Sequence, residues 1–377
     1  MSKNDKKAKA VQDKNVDVTI NTDLLQSMVA KIIKAPSNHK MLPVTNLIGV
    51  EVENGILSLS GTDGNNTMLI KSKERICEDE ETFYVSVEAT VFAKIVAKTT
   101  TQTVSLKMTE KGLLFMGNGT YTIEIPLDEN GKVIRIPMPD FSNCKNESEL
   151  KTNKIKRVVA ANGKALASTV EIPELLNYYV DDKHVITSDR INKACISDIP
   201  FTQNPQLLTP QTLQLLTLFD GESITCAESE SSNIILFFSD TMILVAYVPY
   251  GLKNFPVETL LNYKESAFES SAVLDKAKVL KVLERLSLFV KPYDNNTCVL
   301  TFNRDDILAT TRGNSGEETI KYLEITNHQP YVCHIDIVVL AEIVNAITEE
   351  KFTIWFGNDS AIKITYESIT QIISLSE

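Results

Sequence analysis

The stretch that decides the fold is Leu42–Asn66, LPVTNLIGVEVENGILSLSGTDGNN. Within it, Leu47–Glu53 and Ile56–Ser60 alternate apolar and polar side chains, the period of a half-buried strand. Asn54-Gly55 between them is the dipeptide that closes a tight hairpin, because both residues accept left-handed backbone. The second strand then runs into Gly61-Thr62-Asp63-Gly64, which could cradle a phosphate or hold a metal, or could simply turn the chain. A phosphate loop needs G-x-x-x-x-G-K-[ST] opening a helix, so that free N–H groups and the helix dipole meet the anion. No such Lys follows here, and the chain enters another run, Thr67–Lys71. The corner is therefore read as architecture, and an altered copy, Thr187-Ser188-Asp189-Arg190, lies further on.

Outward from this hairpin the chain repeats. Val16–Asn21 alternates as a strand and leads to Thr22, read as a helix N-cap. Leu24, Leu25, Met28, Val29, Ile32 and Ile33 follow at helical spacing. Phe83–Val87 is a second strand and Glu88–Lys98 a second short helix, with Thr103–Thr109, Gly112–Gly117 and Thr120–Leu127 as strands behind it. At longer range, FYVSVEATVFAKIVAK begins at Phe83, QLLTPQTLQLLTLFDG at Gln206 and YVCHIDIVVLAEIVNAI at Tyr331. Each passes from a short strand into an amphipathic helix, and helix starts near Thr22, Thr152 and Asp275 repeat the interval. The interval is the size of a domain, so the chain reads as three copies of one α+β domain. Polar, Pro-containing stretches at Pro137–Glu149 and Asn254–Ser271 are read as linkers. The expected division is a disordered basic tail at 1–15 and domains at 16–136, 150–253 and 268–377.

Composition excludes several classes. The Lys-rich start lacks the apolar core of a secretory signal, and no run of about 18 apolar residues predicts a membrane span. Cys77, Cys144, Cys195, Cys226, Cys298 and Cys333 form no C-x-x-C pair, so neither a zinc site nor a disulfide framework is expected. They read as free thiols in a reducing compartment. Asp181-Asp182 and Asp305-Asp306 are acidic pairs, but adjacent strand residues point to opposite faces, and both pairs fall where hairpin turns belong. With no nucleophile elbow and no dinucleotide fingerprint, no catalytic residue, cofactor or metal is assigned.

Three α+β domains with LSLSGTDG after a hairpin, an Asn254-Phe255-Pro256 junction and a matching helix–strand order in the third domain resemble the bacterial-type DNA polymerase sliding clamp, the beta subunit of the replicative polymerase. The resemblance implies two inner helices and outer antiparallel sheets per DNA-clamp domain, and a ring of two subunits head to tail around duplex DNA. It implies as partners double-stranded DNA, the replicative polymerase, its clamp loader and a second copy of the chain, with no membrane, in the cytoplasm of a bacterium or of a phage's host. The tail QIISLSE departs from the family's usual ending, and the Gly-His-Arg corner of the second domain is absent. Both departures point to a changed partner specificity.

A ring around DNA requires basic inner helices on an acidic chain. The net charge is −11, and the spans 22–34, 88–98, 152–168, 209–220, 275–291 and 336–348 together carry +6, leaving −17 on the rest. On 152–168, Ile155, Val158, Val159, Asn162 and Leu166 form the expected buried stripe, with Lys156, Arg157 and Lys164 projecting away from it. Lys278, Lys281 and Arg285 share one face of the fifth helix, and Lys34, Lys40, Lys94 and Lys98 would complete a phosphate-contacting lining. Leu288 and Phe289 break the polar pattern at the end of that helix and mark an interface. The resemblance matches them to the edge strand Thr120–Leu127, through Tyr121 and Ile123. It also places a partner-peptide groove at Ser188, Asp189, Pro256, Leu260, Ile372, Ile373 and Leu375. A non-catalytic scaffold of three domains is the competing reading. Such a scaffold gives no reason for the concentration of charge on 152–168.

Overall fold

The computed structural model of the chain describes residues 17–37, 42–76, 83–109, 111–169, 171–229, 233–291, 296–313, 315–327 and 329–376. Six times the chain lays down a lead strand, a helix and a three-stranded meander. The first is β1 (Asp17–Asn21), α1 (Thr22–Ile32), β2 (Leu47–Glu53), β3 (Ile56–Thr62) and β4 (Asn66–Lys71). The second is β5 (Phe83–Glu88), α2 (Ala89–Ala97), β6 (Thr103–Thr109), β7 (Gly112–Met116) and β8 (Thr120–Ile123). The third is β9 (Cys144–Lys151), α3 (Thr152–Asn162), β10 (Tyr178–Val180), β11 (Val185–Ser188) and β12 (Lys193–Ser197). The fourth is β13 (Gln206–Leu208), α4 (Pro210–Leu216), β14 (Ser223–Ser229), β15 (Ile234–Phe238) and β16 (Met242–Tyr247). After α5 (Val257–Lys264), the fifth comprises β17 (Ser270–Asp275), α6 (Lys276–Leu286), β18 (Thr297–Phe302), β19 (Asp306–Thr311) and β20 (Glu317–Lys321), with the short β21 (Glu324–Thr326) behind it. The sixth is β22 (Tyr331–Asp336), α7 (Ile337–Ala346), β23 (Lys351–Phe356), β24 (Ala361–Tyr366) and β25 (Ile369–Ser374).

The lead strands exchange partners. β1 pairs with β6 of the second meander, and β5 returns to pair with β2 of the first. β9 and β13 exchange in the same way with β14 and β10, and β17 and β22 with β23 and β18. Four of the helices that follow these exchanges are capped where the strand ends. Asn21, Glu88, Asp275 and Asp336 each accept N–H groups of the first turn, for example Leu24 N to Asn21 Oδ1 at 3.1 Å and Val338 N to Asp336 Oδ1 at 2.9 Å. A cap oxygen there satisfies a donor that has no partner inside the helix. The expected cap at Thr22 moves back one residue, since Thr22 is itself helical and buried.

By internal contacts the chain forms two compact units, one reaching to Thr152 with Gln214–Tyr247 and the other Asn153–Leu213 with Val248–Glu377. In the first, the eight-stranded sheet β5-β2-β3-β4-β16-β15-β14-β9 joins the first and fourth meanders through β4 and β16, and β1-β6-β7-β8 forms a second sheet. Leu25, Met28, Val29 and Ile32 of α1 and Phe92 and Val96 of α2 are buried, and Gln26 Nε2 of α1 donates to Val96 O and Thr99 O at the end of α2, at 2.9 and 2.8 Å. In the second unit the nine-stranded sheet β13-β10-β11-β12-β25-β24-β23-β17-β21 joins the third and sixth meanders through β12 and β25, beside the sheet β20-β19-β18-β22. Val279, Leu283 and Leu286 of α6 and Leu340, Ile343 and Val344 of α7 enter one continuous core with both sheets. Five cysteines, Cys144, Cys195, Cys226, Cys298 and Cys333, are free, and burial pushes the Cys298 and Cys333 thiols up to about 12.

Four sequence expectations are corrected. The supposed linker Pro137–Glu149 contains most of β9, which reads as polar because it is a sheet edge. The supposed linker Asn254–Ser271 contains α5, whose eight residues are too few for a clear period. The strand expected over Thr120–Leu127 stops at Ile123, because its partner Leu113 stands at the start of β7, where the chain turns back into β6 and leaves little to pair with. The stripe on α3 holds at Ile155, Val158 and Asn162, whereas Val159 is half-buried and Leu166 lies beyond the helix end.

Candidate nucleic-acid interface and partner groove

The corner at Asp63 is a hydrogen-bonded turn. Asp63 Oδ1 accepts the N–H groups of Asn65 and Asn66 at 2.8 and 2.6 Å, and Thr62 Oγ1 donates to Asn66 O at 2.7 Å. Its carboxylate is thereby occupied in shaping the chain. Among the described residues no group of three His, Cys, Asp or Glu side chains could hold a metal. The acidic pairs also sit in turns. Asp181 Oδ1 accepts from Lys183 N and His184 N at 2.8 and 2.6 Å. The Asp306 carboxylate is held below its usual range by hydrogen bonds from Lys321 and Asn303. No described helix is long and apolar enough to cross a membrane.

Of the ten cations assigned to a DNA lining, Lys34, Lys94, Lys98, Lys156, Lys164, Lys278 and Lys281 are exposed. Lys34, Lys94 and Lys98 belong to the α1–α2 pair or its helix ends, and the other four to α3, its short extension and α6. Lys40 lies outside the described residues. Arg157 is different, with 23% side-chain exposure and ion pairs to Glu349 (Nη2 to Oε1, 2.5 Å) and Glu367. Arg285 is exposed but grips Glu318 through two nitrogens, Nε to Oε1 at 2.7 Å and Nη2 to Oε2, and this tie lowers the Glu318 carboxyl. Both arginines are thus engaged within their own unit, Arg157 more completely. Lys154 was not singled out from the sequence, yet it is exposed on α3, on the flank of the Ile155 stripe opposite Lys156. Its position in the first turn, at the edge of the Ile155 stripe, is the signal that finds it.

Each of the four sheets is open, and among their edge strands β8 in the first unit and β20 in the second are the last strands of their meanders. Leu288 and Phe289, just past α6, are 80% and 51% exposed, and Tyr121 on β8 is 47% exposed. Ile123 is 5% exposed and faces Leu113 across the β7–β8 ladder. The assignment of Ile123 as an interface residue is therefore corrected: it shares a strand face with Tyr121, but at the end of β8 beside Leu113 that face is buried, while Tyr121 and Thr122 stay exposed.

In the second unit a cleft of about 150 Å³ opens between α5 and the corner joining β11 to β12. Leu260 and Tyr263 of α5 form one wall, Ser188, Arg190, Ile191, Lys193 and Ala194 another, and Ser360, Ala361, Ile372 and Ser374 the remainder. Of the residues the resemblance places in a partner groove, Ser188, Leu260 and Ile372 line this cleft. Asp189 instead accepts the N–H groups of Ile191, Asn192 and Lys193 and does not line the cleft. Pro256 stands at the start of α5, while Ile373 is buried in the core on the other face of β25 and Leu375 packs against that core. The alternation of β25 separates Ile372 from Ile373.

A sheet-rich chain of six strand–helix–meander units, with basic helix faces, open strand edges and an apolar cleft, has the fold of the DNA sliding clamps. Residues 16–129 match the family model of the DNA polymerase III beta subunit, N-terminal domain. Among solved structures, DNA polymerase III subunit beta from Borrelia burgdorferi is similar with a TM-score of 0.82 at 17% identity, covering 96% of this chain and 100% of that one. The beta subunit from DNA polymerase of Streptococcus pyogenes gives 0.82 at 18% identity, with the same 96% and 100% coverage. The DNA polymerase sliding clamp from Bacillus subtilis gives 0.81 at 16%, covering 97% and 100%. No curated protein matches the sequence. The three-domain clamp fold therefore extends over nearly the whole chain.

Proposed function

We propose that this chain is a processivity factor of a replicative DNA polymerase, a non-catalytic sliding clamp of the beta-subunit type. Two copies close head to tail into a ring around duplex DNA, each contributing domains at 16–136, 150–253 and 268–377. The ring works in the cytoplasm, is opened by a clamp loader and tethers the polymerase through the cleft beside α5. The observation that carries this reading is a pairing rule. Four of the six meanders end in a strand that joins another meander edge to edge, β4 with β16 and β12 with β25. The two that remain are β8 and β20, and each has exposed apolar residues beside it. In a head-to-tail pair the β8 edge of one copy meets the β20 edge of the other, which satisfies both ladders and covers Tyr121, Leu288 and Phe289. Such a heterologous contact made twice closes a ring.

The exposed lysines on α1 to α3 and α6 supply phosphate contacts that read no bases, as a protein that must slide requires. Sedimentation velocity tests the closure. Wild type is expected to sediment as a dimer and the Leu288→Asp/Phe289→Asp variant as a monomer of unchanged secondary structure. A wild-type monomer at micromolar concentration would rule the ring out.

A further inference from the structure

The corners after the first, third and fifth meander hairpins have one design with one exception. In the first, Thr62 Oγ1 donates to Asn66 O and accepts Gly64 N at 3.1 Å, and Gly64 takes the left-handed backbone at φ +97°. In the fifth, Thr311 Oγ1 accepts Gly316 N at 2.8 Å, and Gly313 is left-handed at φ +79°. In the third, Ser188 Oγ donates to Lys193 O at 3.1 Å and accepts Arg190 N at 3.0 Å, and the left-handed residue is Arg190 at φ +76°. A residue with a Cβ is strained there, and glycine is the residue the turn itself calls for. The turn gains nothing from the arginine, so its side chain is the reason for it. That side chain is exposed at the wall of the cleft beside α5, where Lys193 adds a second cation. Lys193 has only a loose contact with Glu342, at 3.8 Å, and among the described residues Arg190 makes no ion pair. The rest of the wall is apolar or neutral, with Leu260, Tyr263, Ile191 and Ile372.

We propose that Arg190 sets the specificity of this cleft for an extended peptide segment of a partner protein that carries an Asp or Glu side chain next to an apolar anchor. The proposal rests on the cleft being the partner groove, as argued above. Leu260 and Ile372 take the anchor, and the guanidinium of Arg190 takes the carboxylate as a two-pronged, charge-assisted pair. The glycine corners have no side chain for this.

The test uses fluorescent, capped octapeptides with a central Leu-Leu pair and Asp, Asn or Lys walked across the flanking positions, titrated by anisotropy against the full chain. At the best position the Asp peptide is expected to bind wild type about tenfold more tightly than its Asn twin, a preference that shrinks at about 1 M salt, where screening acts within about 3 Å. In Arg190→Gly, which restores the residue of the other two corners, the ratio should fall to about one. In Arg190→Glu the Lys peptide should become the preferred one, which keeps the test valid if the glycine variant folds poorly. Equal binding of Asp and Asn peptides by wild type, or an Asp preference that survives in both variants, would overturn the specificity while leaving the groove intact. Binding of no peptide by wild type would remove the groove and the proposal with it.

Discussion

Lys156 and Arg157 are neighbours on α3, and the same charge does different work in each. Lys156 stands in solvent, whereas Arg157 bridges Glu349, beyond α7, and Glu367, in the turn between β24 and β25. Glu367 holds a left-handed backbone at φ +44°, which its ion pair helps to fix. Arg157→Ala leaves two neighbouring carboxylates without their cation and should cost about 2 kcal/mol, between the values for a surface pair and a buried one. Lys156→Ala should leave stability within about 0.5 kcal/mol and weaken only DNA association. Thermal melts beside DNA-binding titrations separate the two. A melting temperature unchanged in Arg157→Ala would show that its carboxylate partners are not holding the turn. Helical spacing put both residues on the polar side of α3. It could not tell them apart, since the acids that claim Arg157 come from 192 and 210 positions further along the chain.

At the scale of elements, the sequence reported the six helices that follow the lead strands, and the lead strands β1, β5, β13 and β22, but the strand pairing not at all. Phe83, Gln206 and Tyr331 do begin β5, β13 and β22, because a strand running into a capped amphipathic helix is written in local periodicity. The exchange of lead strands between neighbouring meanders is a long-range choice with no local mark. Edge strand β9 and the burial of Ile123 were missed for the same reason: burial depends on what lies opposite. In the candidate site, the lysines were legible as polar helix faces and Leu288 as a break in such a face, while Arg190 was hidden until its backbone conformation was known. The caps are testable here. Asp336 accepts from Val338 N and Val339 N at 2.9 and 3.1 Å, so Asp336→Ala should destabilise α7 by about 1 kcal/mol and Asp336→Asn by much less. Urea titrations followed by circular dichroism compare them. Equal losses in the two variants would mean that charge, rather than the capping oxygen, matters.

At the scale of the whole molecule, the proposed ring would require a chain of net charge −11 to hold DNA without binding it tightly. Its exposed Lys34, Lys94, Lys98, Lys156, Lys164, Lys278 and Lys281 can each neutralise one phosphate, and an arginine already paired with Glu318 adds less. Each lysine changed to Ala should flatten the dependence of log affinity on log salt by about 0.9, equally for every DNA sequence. A ring would owe its retention to topology, so that salt and sequence would govern loading far more than escape. Clamps loaded on nicked circular DNA should therefore remain through a high-salt wash, then leave within minutes once a restriction enzyme opens the circle. Blocking both new ends with a bulky bound protein should restore retention, which an ordinary binder, released by salt alone, would not show. If linear and circular DNA with free ends retain the protein equally, the lysines are doing the holding, and the β8 and β20 edges do not close a ring around the duplex.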